Sequence, residues 1–386
     1  VTPAARELTT VDFDLHGFAR IRVESATVRD VAVVRRQLGL PPSSPEGEAD
    51  VVVRFADRVA PGPLTYVGLQ DCGFDDESFV VLRGNGGQPT RMVLPFESLS
   101  GVPMLECQRG TTSVPHLLAV LNLVLLGKDV LPLHASAFNV DGRGVLVTGW
   151  SKGGKTEALL AAATRGAHYV GDEWVFLTPD GTMWGLPERI RLWGWHLDQL
   201  PEVRSARSRG ERRRVRAWRS FATAAQVAST ANTPASGLAR KAAPVLERQA
   251  YVQVPPAGLV GEAKVDLSGS LDAVVLVLSS TGEAITTTPA TAAQVGRRML
   301  ASLREERAPL LAHYRQFRFA FPDRRCAALE GAPRQEARLL ARLMGRRPAA
   351  VVTHPYPCDI AALGDAVLTA AADLVSGGSA VSREPV

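Results

Sequence analysis

Residues 144 to 173, GVLVTGWSKGGKTEALLAAATRGAHYVGDE, restrict the possible folds more than any other stretch of the chain. A β-branched run, Val145 to Thr148, enters the loop GWSKGGKT at 149 to 156, and a helix-forming run follows to about Arg165. The loop has the spacing G-x-x-x-x-G-K-[ST], in which successive backbone N–H groups curl around a phosphate chain. A Cβ at Gly149 or Gly154 obstructs that path, and the helix N-terminus behind it adds unpaired donors. The spacing therefore predicts a nucleotide triphosphate held by Gly149, Trp150, Ser151, Lys152, Gly153, Gly154, Lys155 and Thr156. Lys155 is expected to reach the outer phosphates and the Thr156 hydroxyl to hold Mg²⁺. Composition sharpens this, because only five of the 44 basic residues are lysines and two of them, Lys152 and Lys155, lie in the loop. A compact ammonium suits the phosphate position better than a planar guanidinium.

The residues before the loop, VLPLHASAFNV (130 to 140) and then DGRG (141 to 144), read as a strand and an Asp-Gly turn. The strand feeding the loop is thus expected to pair antiparallel with the strand that carries His134. His134 is either a side chain of the phosphate site or a core histidine bonded to backbone. Sixteen residues after Thr156, the strand AHYVGDEWVFL (167 to 177) contains Asp172 and Glu173. Adjacent carboxylates on an apolar strand are expected to point to opposite faces. A phosphoryl transferase needs one acid at the metal and one to accept the proton of the attacking hydroxyl, and this pair can supply both. The alternative is a strand-end acidic pair at the surface.

The 386-residue length predicts two or three domains, and 46% hydrophobic with 22% charged residues is ordinary globular composition. A net charge of +5 and a pI near 9.2 favour anionic ligands without indicating nucleic acid. The four cysteines lie far apart with no C-x-x-C, so neither zinc nor a disulfide framework is expected. The first twenty residues show no signal-peptide core and no apolar run is long enough to span a bilayer, so a cytoplasmic protein without membrane contact is expected. Residues 1–129 read as an α+β domain, structural or partner-selecting. Its strands are expected at 18–25, 50–55, 78–84 and 91–96, a helix at 28–38, and turns at 41–48, 60–63 and 84–87. Asp71, Asp75, Asp76 and Glu77 read as a solvated acidic loop rather than a metal site, and 114–128 as a buried helix.

LHASAF, then VLVTGWSKGGKTEALLAAATRG, then a strand with GDE resembles the catalytic core of the HPr kinase/phosphorylase family and its bacterial serine-kinase-like relatives. Phosphoenolpyruvate carboxykinases share that fold in part. The resemblance is specific over about 134 to 175. It implies an α/β P-loop core with a mixed sheet over residues 130–386, behind the N-terminal α+β domain. It also implies an ATP- and Mg²⁺-dependent kinase acting on a hydroxyl, with a seryl group of a peptide or protein as the acceptor. The family's phosphate-binding lysine and Mg²⁺-binding hydroxyl fall on Lys155 and Thr156, its site histidine on His134, and its acidic pair on Asp172 and Glu173. In this reading Asp172 is the base, supported by His134, and Glu173 joins Thr156 at the metal. GLPERIRLW (185 to 193) occupies the place of a further family segment, which makes Glu188 a second candidate metal ligand. The pair here is Asp-Glu and the HPr-recognition segment is not found, so a small-molecule acceptor, or a nucleotide-binding regulator or ATPase without an acceptor, remains an alternative. No N-K-x-D guanine-reading motif or ABC-transporter signature appears.

All six tryptophans lie between 150 and 218, around the expected site. The basic run 205 to 220 lies in an insertion at about 200–245 and reads as a solvated helix or loop. Its alternative is a cover over the site, where Arg212, Arg213, Arg214 or Arg216 holds an acidic substrate, across a subunit interface if the chain is a homo-oligomer. Nucleic-acid binding is not expected, since aromatic interleaving is missing. Strands are expected at 248–255, 263–269 and 271–280 and a helix from Thr288 to about Tyr314 with Pro289 near its start. A helix at 335–344, a strand and turn at 349–357 and a helix at 359–375 complete the chain. His354, before Pro355, reads as a turn residue.

Overall fold

The computed structural model describes residues 7–60, 62–67, 72–83, 89–230, 236–247, 249–345 and 347–381. The expected turn at 84–87 and Asp71 lie outside them. The described residues form a mixed α/β structure built on two large mixed sheets and a two-stranded ribbon. Among them, no helix is long and apolar enough to cross a membrane. The four cysteines are buried.

The first sheet has eight strands in the spatial order Thr9–Leu15, Ala19–Ala26, Val51–Ala56, Met104–Gln108, Pro89–Pro95, Ser78–Arg83, Cys72–Phe74, Tyr66–Val67. Four of these were not foreseen: 9–15, 66–67, 72–74 and 104–108. Thr9–Leu15 and Met104–Gln108 do alternate, as VDFDL and MLECQ, whereas the other two are only two and three residues long. The helix Val28–Leu38 forms where expected because Thr27 and Asp30 make a reciprocal capping box and Gly39 closes it in the left-handed region. Asp75 accepts from the N–H groups of Glu77 and Ser78 and so shapes a turn.

The second sheet has nine strands. Its path runs Ser268–Ser270, Thr182–Gly185, Trp174–Leu177, Leu131–Val140, Arg143–Thr148, Ala273–Ser280, Ala349–Pro355, Thr286–Ala290, and His168–Gly171 also pairs with Leu131–Val140. Leu131–Val140 and Arg143–Thr148 pair antiparallel across Asp141 and Gly142, both with positive φ, as the Asp-Gly signal required. On its other side Arg143–Thr148 runs parallel to Ala273–Ser280. Period-two alternation divides the apolar residues between two cores. Leu146, Val274 and Leu276 pack with helices Ala292–Ala320 and Ala327–Met344, whereas Val145, Val147, Val275 and Val277 pack with helices Lys155–Thr164 and Ile360–Val381.

Several expected boundaries move. Thr288 and Pro289 belong to the strand Thr286–Ala290, which pairs only with Ala349–Pro355, so the prolyl nitrogen disrupts no central ladder. The helix instead starts after Thr291, whose side chain and Gln294 form a capping box. The expected strand at 263–269 begins in a 3-10 turn, Glu262–Lys264, makes one isolated bridge from Val265 to Tyr169, and joins the sheet only from Ser268, in Ser268–Ser270. The basic run lies in the helix Arg209–Thr230, which packs against Ser236–Glu247.

The first core crosses residue 130 without a break. Phe96 from the N-terminal sheet meets Phe317 at 4.5 Å and Tyr314 at 5.3 Å between ring centroids, and both partners sit on the helix Ala292–Ala320. Phe96→Ala should therefore cost about 3–5 kcal/mol, and the loss should appear in the second sheet as well. Since every tryptophan lies between 150 and 218, urea unfolding followed by tryptophan fluorescence reads that half of the chain. We expect its midpoint to fall in the variant; an unchanged midpoint would mean that the two sheets unfold independently.

Candidate active site

Ser151 to Thr156 line a cavity of about 620 Å³ together with His134, Glu157, Asp172 and Glu173. Gly149 and Trp150 do not line it, in contrast to the expectation from the motif. A Cβ on Gly149 would fall 2.6 Å from the Val277 carbonyl oxygen, so close strand packing requires glycine there. Trp150 is about half exposed. Gly154 does shape the cradle: its φ is +105°, and a Cβ would meet His354 Nε2 at 2.5 Å.

His354 is no turn residue. It ends the alternation of the strand Ala349–Pro355, is fully buried with Val352, and approaches the Gly153 carbonyl with Nε2 at 2.8 Å. It thus props the loop from below. Above it, the helix Lys155–Thr164 begins at Gly154 without a side-chain cap, leaving first-turn N–H groups for an anion. The buried Lys155 ammonium donates to the carbonyls of Gly149 (3.2 Å) and Trp150 (3.0 Å). Burial pulls its pKa down, while Glu173 and Asp172 pull the other way.

The acidic pair sits where the strand breaks. Gly171 pairs with Ala137 and Trp174 with His134, and between them Asp172 and Glu173 form a tight turn in which the Trp174 N–H reaches the Asp172 carbonyl at 2.8 Å. Glu173 adopts φ of +64°. The two carboxylates consequently face one cavity and not opposite sides of a strand, because regular alternation stops at the break. Asp172 is buried and accepts from the hydroxyls of Ser136 and of Thr156, the latter at 3.2 and 3.3 Å. Burial, then the neighbouring Glu173, pushes its carboxyl up to about 7.

Glu173 is more open and lies 3.2 Å from His134 Nε2, which holds its carboxyl below the usual range. On the other side of the ring, Nδ1 is 2.5 Å from Glu306 Oε1, outside hydrogen-bond alignment. Burial lowers the His134 pKa, yet Glu173 and Glu306 outweigh it and leave it raised. Thr156 therefore contacts Asp172 rather than Glu173, its expected metal partner.

The Thr156 hydroxyl and the more open Glu173 carboxylate line the same cavity and offer hard oxygen atoms of the kind that suit Mg²⁺, an ion commonly held by one or two carboxylates with water and phosphate completing its shell. Among the described residues no group of three or more His, Cys, Asp and Glu side chains is arranged to hold a metal alone. Glu188 is set back from the cavity lining. Its Oε1 is buried without a hydrogen-bond partner, and burial followed by the charges of Glu173 and Asp172 pushes its carboxyl up to about 8.

Beyond the loop the cavity is walled by Arg191, Trp193, Trp195, His196, Arg219 and Tyr356. Arg212, Arg213, Arg214 and Arg216 are not in its lining; Arg219, one or two turns further along the same helix, is, and it pairs with Asp198 at 2.7 Å. His196 Nδ1 accepts from the Trp193 N–H, so Nε2 donates to Glu157 at 3.0 Å, tying this wall to the loop helix. The sequence carried signals for two missed residues. His354 continues the inward parity of Val352, and Glu306 falls in the apolar spacing Met299, Leu303, Leu310 of its helix.

No protein-family model matches the chain, and no curated protein matches it significantly.

The raised Glu188 carboxyl has a consequence for stability. In the unfolded chain it loses its proton near 4.5, in the folded chain near 8, so folding takes up a proton between these values. The favourable contribution is complete below 4.5 and is lost as pH rises to about 8, with Asp172 acting in the same direction between 3.8 and about 7. Glu188→Gln should accordingly gain stability relative to the parent across that interval and change little beyond it. Thermal melting as a function of pH checks this; parallel profiles would contradict a costly buried carboxylate.

Proposed function

We propose that the chain is a P-loop phosphotransferase of the HPr kinase-like type that moves the γ-phosphoryl group of ATP onto a hydroxyl, with a seryl group of a peptide or protein as acceptor. One observation carries this reading: Lys155, Thr156, Asp172, Glu173 and His134 converge on a single cavity of nucleotide size. The seryl acceptor and the family come from the resemblance of residues 134 to 175; the cavity itself supports a hydroxyl beside a triphosphate.

In this mechanism the loop N–H groups and Lys155 bind the phosphate chain, releasing the lysine from the Gly149 and Trp150 carbonyls. Thr156 with Glu173 would hold Mg²⁺, which would neutralise phosphate charge and leave Asp172 free to act as the base. Asp172 takes the proton from the attacking hydroxyl, and a carboxyl near 7 is matched to that task at neutral pH. The new bond joins the acceptor oxygen to the γ-phosphorus, the bond from that phosphorus to the bridging oxygen breaks, and ADP leaves with the electron pair. Glu173 keeps negative charge beside the metal side of the site, and His134 against it holds its carboxyl below the usual range. Trp193, Trp195 and Tyr356 offer flat surfaces on the far wall, and Arg191 and Arg219 offer charge to an acidic acceptor.

Lys155→Ala should weaken Mg²⁺–ATP binding by about 1.5–3 kcal/mol, measured by calorimetry. Asp172→Asn should retain nucleotide binding and lose on the order of 10²–10⁴-fold in transfer to a seryl peptide, followed with labelled ATP and mass spectrometry. Transfer that is unchanged in Asp172→Asn would remove Asp172 as the base. ATP hydrolysis with no labelled acceptor, in the parent and the variant alike, would favour a nucleotide-driven regulator instead.

A further inference from the structure

A second cavity, of about 220 Å³, lies where the helices Leu117–Gly127, Ala292–Ala320 and Ala327–Met344 meet the His134 strand. It shares no lining residue with the phosphate cavity, although one of its walls, Glu306, also contacts His134. Three buried polar atoms belonging to its lining have no hydrogen-bond partner: Asn122 Oδ1, Arg307 Nη1 and Glu336 Oε2. Their residues are exposed by 8%, 6% and 1%. Asn122 is the only polar residue in its leucine-rich helix, and neither the fold nor the proposed chemistry uses it. Arg307 and Glu336 form an ion pair through Nη2 and Oε1, so each keeps one unpaired atom. A buried ion pair offsets its desolvation only when its remaining donors and acceptors are also bonded.

The unpaired set is one cationic donor and two acceptors, one of them anionic. It is complementary to a carboxylate and an ammonium carried on one small molecule. The volume corresponds to about seven waters, the scale of a free amino acid, and Leu118 and Leu303 supply an apolar wall for a short side chain. The lining carries two carboxylates, Glu306 and Glu336, against one guanidinium, which disfavours a simple anion.

We propose that this cavity binds a small zwitterionic amino compound, its carboxylate on Arg307 and its ammonium between Glu336 and Asn122. The proposal does not rest on the phosphotransfer reading, because it requires neither ATP nor turnover. The test uses the full chain without nucleotide, heated in the presence of single free L-amino acids at millimolar concentration. Each is compared with its decarboxylated amine and its deaminated acid. At least one amino acid should raise the melting temperature by several degrees, with both counterparts weaker by about tenfold or more. Asn122→Leu should abolish the response. So should Arg307→Met combined with Glu336→Leu, which removes both charges together and so leaves no unpaired buried ion to unfold the chain. Absence of a response to every amino acid, as for a cavity that holds only water, would overturn the proposal. So would a response of equal size in the variants, or an equal response to the amine and acid counterparts.

Discussion

The candidate site depends on the way the strand Leu131–Val140 divides its hydrogen bonds along one edge between two short strands. His168–Gly171 takes the distal half and Trp174–Leu177 the proximal half, which leaves Asp172 and Glu173 unladdered opposite the middle of the strand. His134 and Ser136 are two residues apart and share a face, so they meet the two acids in turn. Ser136 donates to Asp172, and His134 lies against Glu173. The opposite edge of the same strand pairs with Arg143–Thr148, which delivers the phosphate loop. A single strand thereby fixes the loop, the acids and the histidine relative to one another, and a register slip of one residue would disperse all three.

Much of this was legible because the signals were local. The loop spacing, the Asp-Gly hairpin and the flanking apolar runs each require only a few consecutive residues. The strand break was legible as two acids interrupting an apolar run, but their shared orientation was not. Alternation assumes a continuous ladder, and the positive φ at Glu173 ends it. Ser136, Glu306 and His354 were missed because their roles arise from long-range pairing, 36 to 201 residues away. The same applies to the acceptor side, where the arginine cluster drew attention to 212–216 while helix phase presents Arg219. Helix phase could not be assigned before the partner surface of Arg209–Thr230 was known.

Electrostatics is the part of the arrangement that the proposed phosphate and metal would relieve. One buried ammonium, Lys155, bonds only to loop carbonyls, while Asp172 and Glu188 are pushed toward neutrality by burial and by Glu173. The charges are near one another but incompletely paired, a condition that costs stability in the free chain. Such costs are tolerated where ligand contacts supersede them. Asp172, the lysine and the uncapped helix N-terminus line the cavity and would gain partners if phosphate and a cation entered together, whereas Glu188, set back from the lining, would not.

The N-terminal sheet meets the second half of the chain directly, as where Phe18 packs on Phe176 and Trp184, and also through the helix Ala292–Ala320. Ala292–Ala320 carries Glu306 against His134 and, eleven residues later, Phe317 against Phe96, a separation of about 16 Å along the helix axis. Pro309 lies inside the helix between these two contacts and removes one backbone bond there, so the aromatic cluster and Glu306 share one element without being rigidly coupled. Glu306 and Glu173 together raise the His134 pKa against its burial, and His134 in turn holds the Glu173 carboxyl below the usual range. The N-terminal sheet, this helix and the strand Leu131–Val140 share one continuous core, so the side chains that hold His134 in place and those that pack Phe96 belong to the same packed body.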